Sequence, residues 1–258
     1  MHSPVRSLVT AFAAALFLFQ AGNATATEIK ILSAVGMKAA LDELGPKFER
    51  ASGHTLRIEF ANLGAVLKRV EDGETADVVI LPRQGIDRLV GQGTARSTSV
   101  TVLARAGIGL AVRKGAPKPD IATPQALKHA LLEAKSVTYL DPAGGGTSGV
   151  HFVKVLDRLG IADEMKSKTV LHANARAAGI LIANGQAEIG VNLIQELMSL
   201  PDIEVIGPLP DGLQNMTAYA AVIMTDDKDD ATAARALIDF LRAAEAAAVI
   251  KAKGMEPD

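Results

Sequence analysis

The sequence predicts an α/β fold in two lobes, each a mostly parallel sheet flanked by helices. Short apolar runs of strand length alternate with segments whose apolar residues recur every three or four positions, the pattern of parallel α/β architecture. Nine such strands are too many for one small sheet, which usually holds about 4 to 6. Of 258 residues, a leader of 26 leaves 232, a length suited to one large domain or two lobes of roughly 100 residues each. From pattern alone a single doubly wound sheet stays open.

The leader comes first. Residues Met1 to Ala26 carry Arg6 in a short basic segment, an apolar stretch from Leu8 to Phe19, and small residues Ala24-Thr25-Ala26 before a cut. This predicts a periplasmic protein cleaved after Ala26, with Thr27 as the mature start. No later stretch approaches the roughly 18 consecutive apolar residues of a spanning helix, so no membrane insertion is expected. There is no cysteine, hence neither a lipid acceptor nor a disulfide framework for an oxidising compartment. Removing Arg6 with the leader leaves 26 basic against 29 acidic groups. A balance this close to neutral, with no polybasic tract, excludes a nucleic-acid footprint and membrane adhesion.

The elements then follow in order. Ile29 to Leu32 reads as a strand, and Met37, Ala40, Leu41, Leu44 and Phe48 mark one face of a helix. Strand Leu56 to Phe60 precedes a helix on Val66, Leu67 and Val70, and strand Val78 to Leu81 comes next. Segment Ala95 to Ala106 lacks a helical pattern and leads into strand Gly107 to Val112, the first expected crossing between lobes. Thr123-Pro124 reads as an N-cap with proline at the first helical position, opening a helix on Leu127, Ala130 and Leu131. Strands Val137 to Leu140, Thr169 to His172, Ile189 to Val191, Glu204 to Ile206 and Thr217 to Met224 complete the set. An alanine-rich helix spans roughly Asp230 to Lys253. The expected division is 27–104 plus 225–258 for the first lobe and 105–224 for the second.

The chemistry lies in the turns. Asp141-Pro142-Ala143-Gly144-Gly145-Gly146-Thr147-Ser148-Gly149 separates a strand from the helix-like run Val150 to Leu159. A strand feeding a helix through glycines lets backbone N–H groups and the positive end of the helix dipole face one small anion. Similar turns follow the first strand, at Ser33-Ala34-Val35-Gly36-Met37, and the second, at Ala61-Asn62-Leu63-Gly64. Ligands in parallel sheets bind outside the carboxyl ends of strands, so these loops are expected to converge. Arg83, after strand Val78 to Leu81, is a candidate for pairing with a carboxylate. Arg176 opens another helix, where a cation opposes the dipole and is expected to face solvent. His151 and His172 are candidate proton carriers, although lone histidines are more often structural.

Several chemistries are excluded. Gly144, Gly146 and Gly149 match G-x-G-x-x-G, but the next strand ends at Ala173-Asn174 without the acidic residue a dinucleotide site requires. Val150-His151 replaces the Lys and Ser or Thr of a phosphate loop. His2, His54, His129, His151 and His172 have no metal-ligand spacing, and no G-x-S-x-G elbow is present. With 3% aromatics, and Tyr139 and Tyr219 as the only tyrosines, no stacking cage for a sugar is expected. No cofactor is expected, and a monomer is the default.

The chain resembles, over its mature length, the periplasmic molybdate-binding proteins of ABC importers, a two-lobed clamp with its ligand buried between the lobes. The matching segments are Ile31-Leu32-Ser33-Ala34, Phe48-Glu49-Arg50-Ala51-Ser52-Gly53, Gly73-Glu74-Thr75-Ala76-Asp77-Val78, Asp141-Pro142-Ala143, Gly185-Gln186-Ala187-Glu188-Ile189-Gly190 and Ala236-Leu237-Ile238-Asp239-Phe240-Leu241. The resemblance implies a ligand held by serines after the first two strands, backbone amides of the proline turn and the next helix start, and a later tyrosine. Here those places hold Gly36, Asn62 or Leu63, Thr147 and Ser148 with Ala175, and Leu193 beside Asn192. Each missing partner in a dry cleft costs a tetrahedral oxyanion on the order of 1 to 3 kcal/mol, which points away from molybdate. Val112 to Ile121, Gly190 to Pro201 and Ile206 to Tyr219 resemble a divergent branch of the family that includes a periplasmic aconitate isomerase.

Two functions follow. The favoured one is a solute-binding protein for a small carboxylate-bearing anion, with an ABC permease as the partner the resemblance implies. The alternative is an isomerase moving a double bond in an unsaturated tricarboxylate. The expected ligand contacts are Val35, Gly36, Met37, Asn62, Leu63, Arg83, Gly145, Gly146, Thr147, Ser148, Ala175 and Asn192.

Overall fold

The computed structural model describes residues 26–144, 146–225 and 231–258. The leader, Ala26 apart, and Gly145 lie outside them. The first elements are β1 (Glu28–Ala34), α1 (Lys38–Ser52), β2 (Thr55–Ala61), α2 (Leu63–Glu71), β3 (Val78–Pro82), α3 (Arg83–Gly91) and β4 (Thr101–Ala106). Next come β5 (Ile108–Arg113), α4 (Pro124–Glu133), β6 (Val137–Leu140), α5 (Thr147–Leu159), α6 (Ala162–Lys166) and β7 (Thr169–His172). They are followed by α7 (Ala175–Ala183), β8 (Ile189–Leu193), α8 (Ile194–Met198), β9 (Ile203–Pro208) and β10 (Thr217–Ile223). Last are α9 (Thr232–Arg242), α10 (Ala244–Ala252) and β11 (Glu256–Pro257).

All nine predicted runs are strands, and together with β4 and β11 they form a six-stranded sheet in the order β11-β4-β10-β3-β1-β2 and a five-stranded sheet in the order β7-β6-β8-β5-β9. The α/β, two-lobed class is as predicted, but the sheets are mixed rather than mostly parallel. β1 pairs in parallel with β2 and β3, and β6 with β7 and β8, whereas β10 and β5 are antiparallel to their neighbours. The reason is the route of the chain. Strands of the βα units run toward the gap between the sheets, and β5 and β10 enter their sheets from that gap and run away from it.

The same route corrects the expected division at 224. β10 lies between β3 and β4, with Val222 opposite Val79 and Ala221 opposite Ile80, so it belongs to the first sheet. The segment Ala95 to Ala106 contains a strand, β4, and the chain changes sheets at Gly107 and again across residues 209–216. The long terminal helix is also broken: Ala243 is extended (φ −65°, ψ 157°) between α9 and α10.

The predicted helix faces are buried. Ala40, Leu41, Leu44 and Phe48 of α1 pack under β1 and β2, and Phe152 of α5 is fully buried, its ring 5.1 Å from that of Tyr139 on β6. The two crossings are fastened to each other. Gln214 accepts a hydrogen bond from the Ile108 N–H at 2.9 Å and donates one to the Ile108 carbonyl at 2.8 Å. Among the described residues no helix is long and apolar enough to cross a membrane.

Candidate functional site

The carboxyl ends of β1, β2, β3, β6 and β8 meet around a cavity of about 80 Å³. Val35, Gly36, Asn62, Leu63, Pro82 and Tyr219 line it from the six-stranded side. Leu140, Gly146, Thr147, Ser148, Asn192, Leu193 and Glu196 line it from the other. The space equals that of two or three water molecules, at about 30 Å³ each. Across the gap, Thr217 Oγ1 donates to Thr147 Oγ1 at 3.4 Å.

Helix starts from both sheets face the cavity without a capping side chain, those of α3 after Pro82 and α8 after Leu193 among them. On one side the 3₁₀ turn Val35–Met37 leads into α1, and neither Ala34 nor Met37 supplies a cap. On the other, α5 begins after Gly146, which has no side chain to cap it. The first N–H groups of a helix lack internal partners, and the dipole places positive potential there. By contrast α2 and α7 are capped: Asn62 Oδ1 accepts from the Ala65 N–H at 2.8 Å, and Asn174 Oδ1 from the Ala177 N–H at 3.0 Å.

Two glycines set the shape. A Cβ on Gly149 would lie 1.9 Å from the Leu140 carbonyl oxygen, so only glycine lets α5 pack directly against the end of β6. A Cβ on Gly36 would lie 2.1 Å from the Tyr219 hydroxyl, which therefore fills the space a side chain would take.

The polar side chains are held in defined orientations. Ser148 Oγ and the Leu193 N–H both donate to Asn192 Oδ1, each at 2.8 Å. A backbone N–H needs an acceptor, so the amide cannot flip, and Asn192 Nδ2 is left as a donor. That nitrogen is buried and, the neighbouring Glu196 carboxyl apart, has no hydrogen-bond partner among the described residues. Gln195 Nε2 donates to the Tyr219 hydroxyl at 3.5 Å. Burial, reinforced by the charge of Glu196, raises the Tyr219 phenol well above its ordinary value and keeps it protonated. Burial also pushes the Glu196 carboxyl up to about 7, so the one ionisable carboxyl of the lining changes charge near neutral pH.

The cavity shares Val35, Gly36, Asn62, Leu140 and Glu196 with a larger chamber of about 630 Å³. Its other walls include Lys38, Asp42, Ala175, Arg176 and Gln195.

Most of the predicted contacts come together here: Val35, Gly36, Asn62, Leu63, Gly146, Thr147, Ser148 and Asn192 line the cavity, and Ala175 lines the chamber. Met37 is fully buried and lines neither. The Arg83 side chain is half-exposed and bonds to Asp87 one turn on, at 2.7 Å, with Pro82 in the wall instead. The histidines also lie off the lining. His151 Nε2 is 2.7 Å from the Leu213 carbonyl, a bond to the crossing segment. His172 is buried, and burial lowers its imidazole to about 4, so it is neutral. Tyr219 and Glu196 were not among the predicted residues. Both lie in segments that carry the resemblance, Glu196 in Gly190 to Pro201 and Tyr219 at the end of Ile206 to Tyr219, but the resemblance assigns neither of them a role.

A family model described as bacterial extracellular solute-binding protein matches residues 29–256. The chain belongs to this family. Among curated relatives of this solute-binding protein, an aconitate isomerase from a Pseudomonas species is 34% identical over 237 residues, covering 90% of this chain and 88% of the relative. The molybdate-binding protein ModA of Azotobacter vinelandii is 28% identical over 262 residues, covering 98% of each. Among solved structures, the substrate-binding domain of a putative molybdenum ABC transporter from Clostridium difficile superposes with a TM-score of 0.75 at 15% identity, covering 90% of this chain and 99% of that one. The two-lobed fold is shared with this neighbour.

Proposed function

We propose that this solute-binding protein closes over a small organic anion, holding a carboxylate in the inner cavity. The observation that carries this is the pairing of a small nest of neutral donors with a much larger adjoining chamber. A tetrahedral oxyanion would use only the nest, whereas an organic acid places its carboxylate there and its carbon skeleton in the chamber of about 630 Å³, a size usual for small-molecule sites. The uncapped helix starts of α1 and α5, Asn192 Nδ2 and the Tyr219 hydroxyl are the donors. The leader-like segment Met1 to Ala26 supports a periplasmic location after cleavage at Ala26, where an ABC permease would receive the ligand.

A thermal-shift series checks the ligand class. Ligand at a hundred times its dissociation constant stabilises by about 2.7 kcal/mol, which raises the melting temperature of a chain this long by about 5 °C or more. Di- and tricarboxylates are expected to give that shift, and molybdate and sulfate little. Tight molybdate binding with no response to any carboxylate would overturn the proposal.

A second function is favoured by Glu196 and by the 34% identity to an aconitate isomerase. The Glu196 carboxylate would take an allylic proton from an unsaturated tricarboxylate and return it at the far carbon as the double bond moves between them. The helix-start amides would meet the negative charge that builds on the substrate carboxylate. Incubation with cis-aconitate and chromatography for the trans isomer tests this, with conversion expected to disappear in Glu196→Gln. No conversion by the unaltered protein leaves binding alone.

A further inference from the structure

We infer that Arg176 receives a second carboxylate of the ligand, so that the site selects di- and tricarboxylates over monocarboxylates. This rests on the carboxylate-binding function proposed above. Arg176 stands in the first turn of α7 and lines the outer chamber. A cation there is opposed by the helix dipole, and its side chain has no ion pair or hydrogen bond among the described residues to offset that. Lys38, the other cation of the chamber, is already paired with Asp42 at 2.7 Å and lies 4.8 Å from the centre of the Phe60 ring. The cation left uncompensated in the chamber is therefore Arg176.

The inner cavity makes the division of labour specific. Its lining has no cation, its volume of about 80 Å³ takes one carboxylate head, and Asn192 Nδ2, on a side chain fully buried, offers a donor there. An acid with one carboxylate satisfies the nest and leaves Arg176 as it was. An acid with a second carboxylate beyond the shared wall of Gly36 and Glu196 brings an acceptor pair to a planar guanidinium suited to binding both its oxygens. The second contact is made in the solvent-facing chamber, so its worth shows as selectivity rather than as fold stability.

Titration calorimetry with propionate, succinate and cis-aconitate on the full mature chain and on Arg176→Gln and Arg176→Lys tests this. The unaltered protein is expected to bind cis-aconitate at least about tenfold tighter than propionate, the range of one charge-assisted contact. Arg176→Gln should lose about that factor for cis-aconitate and less than about twofold for propionate, with Arg176→Lys recovering part of the loss. Because Arg176 is exposed, the ligand-free melting temperature of both variants should stay at the unaltered value. An equal loss for all three acids, or none for cis-aconitate, overturns the role of Arg176. Equal affinity of the unaltered protein for propionate and cis-aconitate overturns that role alone. Failure of every carboxylate to bind brings down the carboxylate site and Arg176 with it.

Discussion

Gly36→Ala is expected to reduce anion affinity by at least about a hundredfold while leaving the protein folded, because a misplaced binding group of about 1 Å is enough for such a loss. The added Cβ would stand 2.1 Å from the Tyr219 hydroxyl oxygen and 2.7 Å from the ring carbon that carries it. Tyr219 cannot retreat easily. It is buried in a strand bonded on both sides, by β3 and β4, so the 3₁₀ turn must move instead and carry its amides off the cavity. Overpacking of this kind costs about 1 to 3 kcal/mol of stability, which a domain of this size tolerates. Gly64→Ala is the control. It lines the same cavity, yet the nearest atom to its Cβ would be Asn62 Oδ1 at 3.8 Å, so binding should be unchanged. Calorimetry on both variants decides, and a Gly36→Ala affinity within about threefold of the unaltered value would show that the turn is not part of the site.

Anion affinity is expected to fall by about tenfold between roughly pH 5.5 and pH 8.5, through the ionisation of Glu196. Held at about 7 by burial, its carboxyl is a neutral donor to a carboxylate below that pH and a like charge above it. Glu196→Gln should bind with little pH dependence across the range, whereas a profile as steep as the parent's would assign the effect elsewhere. Stability carries its own signature. Glu196 titrates near 4.5 when unfolded and about 7 when folded, so the native state holds the extra proton between those values and loses stability as pH rises through them. His172 works in the opposite sense: near 6.5 unfolded and about 4 folded, it contributes stability above 6.5 that is lost as pH falls toward 4. The slopes oppose each other across the shared window. Urea unfolding should therefore be nearly flat with pH there for the parent, rise with pH in Glu196→Gln, and fall with pH in His172→Gln.

The sequence made the fold readable where local pattern and burial agree. Every predicted strand formed because its apolar run is enclosed on both faces or, in β2, β7 and β9, packed on one. β4 escaped notice because Arg105 interrupts Thr101–Ala106; that arginine stays at the surface and bonds to Asp258 at 2.8 Å. The sheet to which β10 belongs could not be read at all, since an apolar run does not name its neighbours. At the site, the strand-end rule pointed to Gly36, Asn62 and Ser148, groups set by local backbone geometry, and the family resemblance pointed to Asn192; all four line the cavity. The rule missed Tyr219 and Glu196, whose presence depends on β10 returning across the gap and on one short helical turn after β8. The histidines drew attention by their titration range alone. Their ring positions were decided by neighbours: the interior behind β7 for His172, and the Leu213 carbonyl for His151.

The clip between Gln214 and Ile108 has a mechanical consequence. With the outgoing strand and the returning segment stapled side by side, sliding one past the other would break both bonds of one amide at once. His151 extends the linkage. Its ring lies 2.7 Å from the Leu213 carbonyl, so the second turn of α5 is tied to the residue next to Gln214 and the glycine-led helix shares its anchorage with the returning crossing.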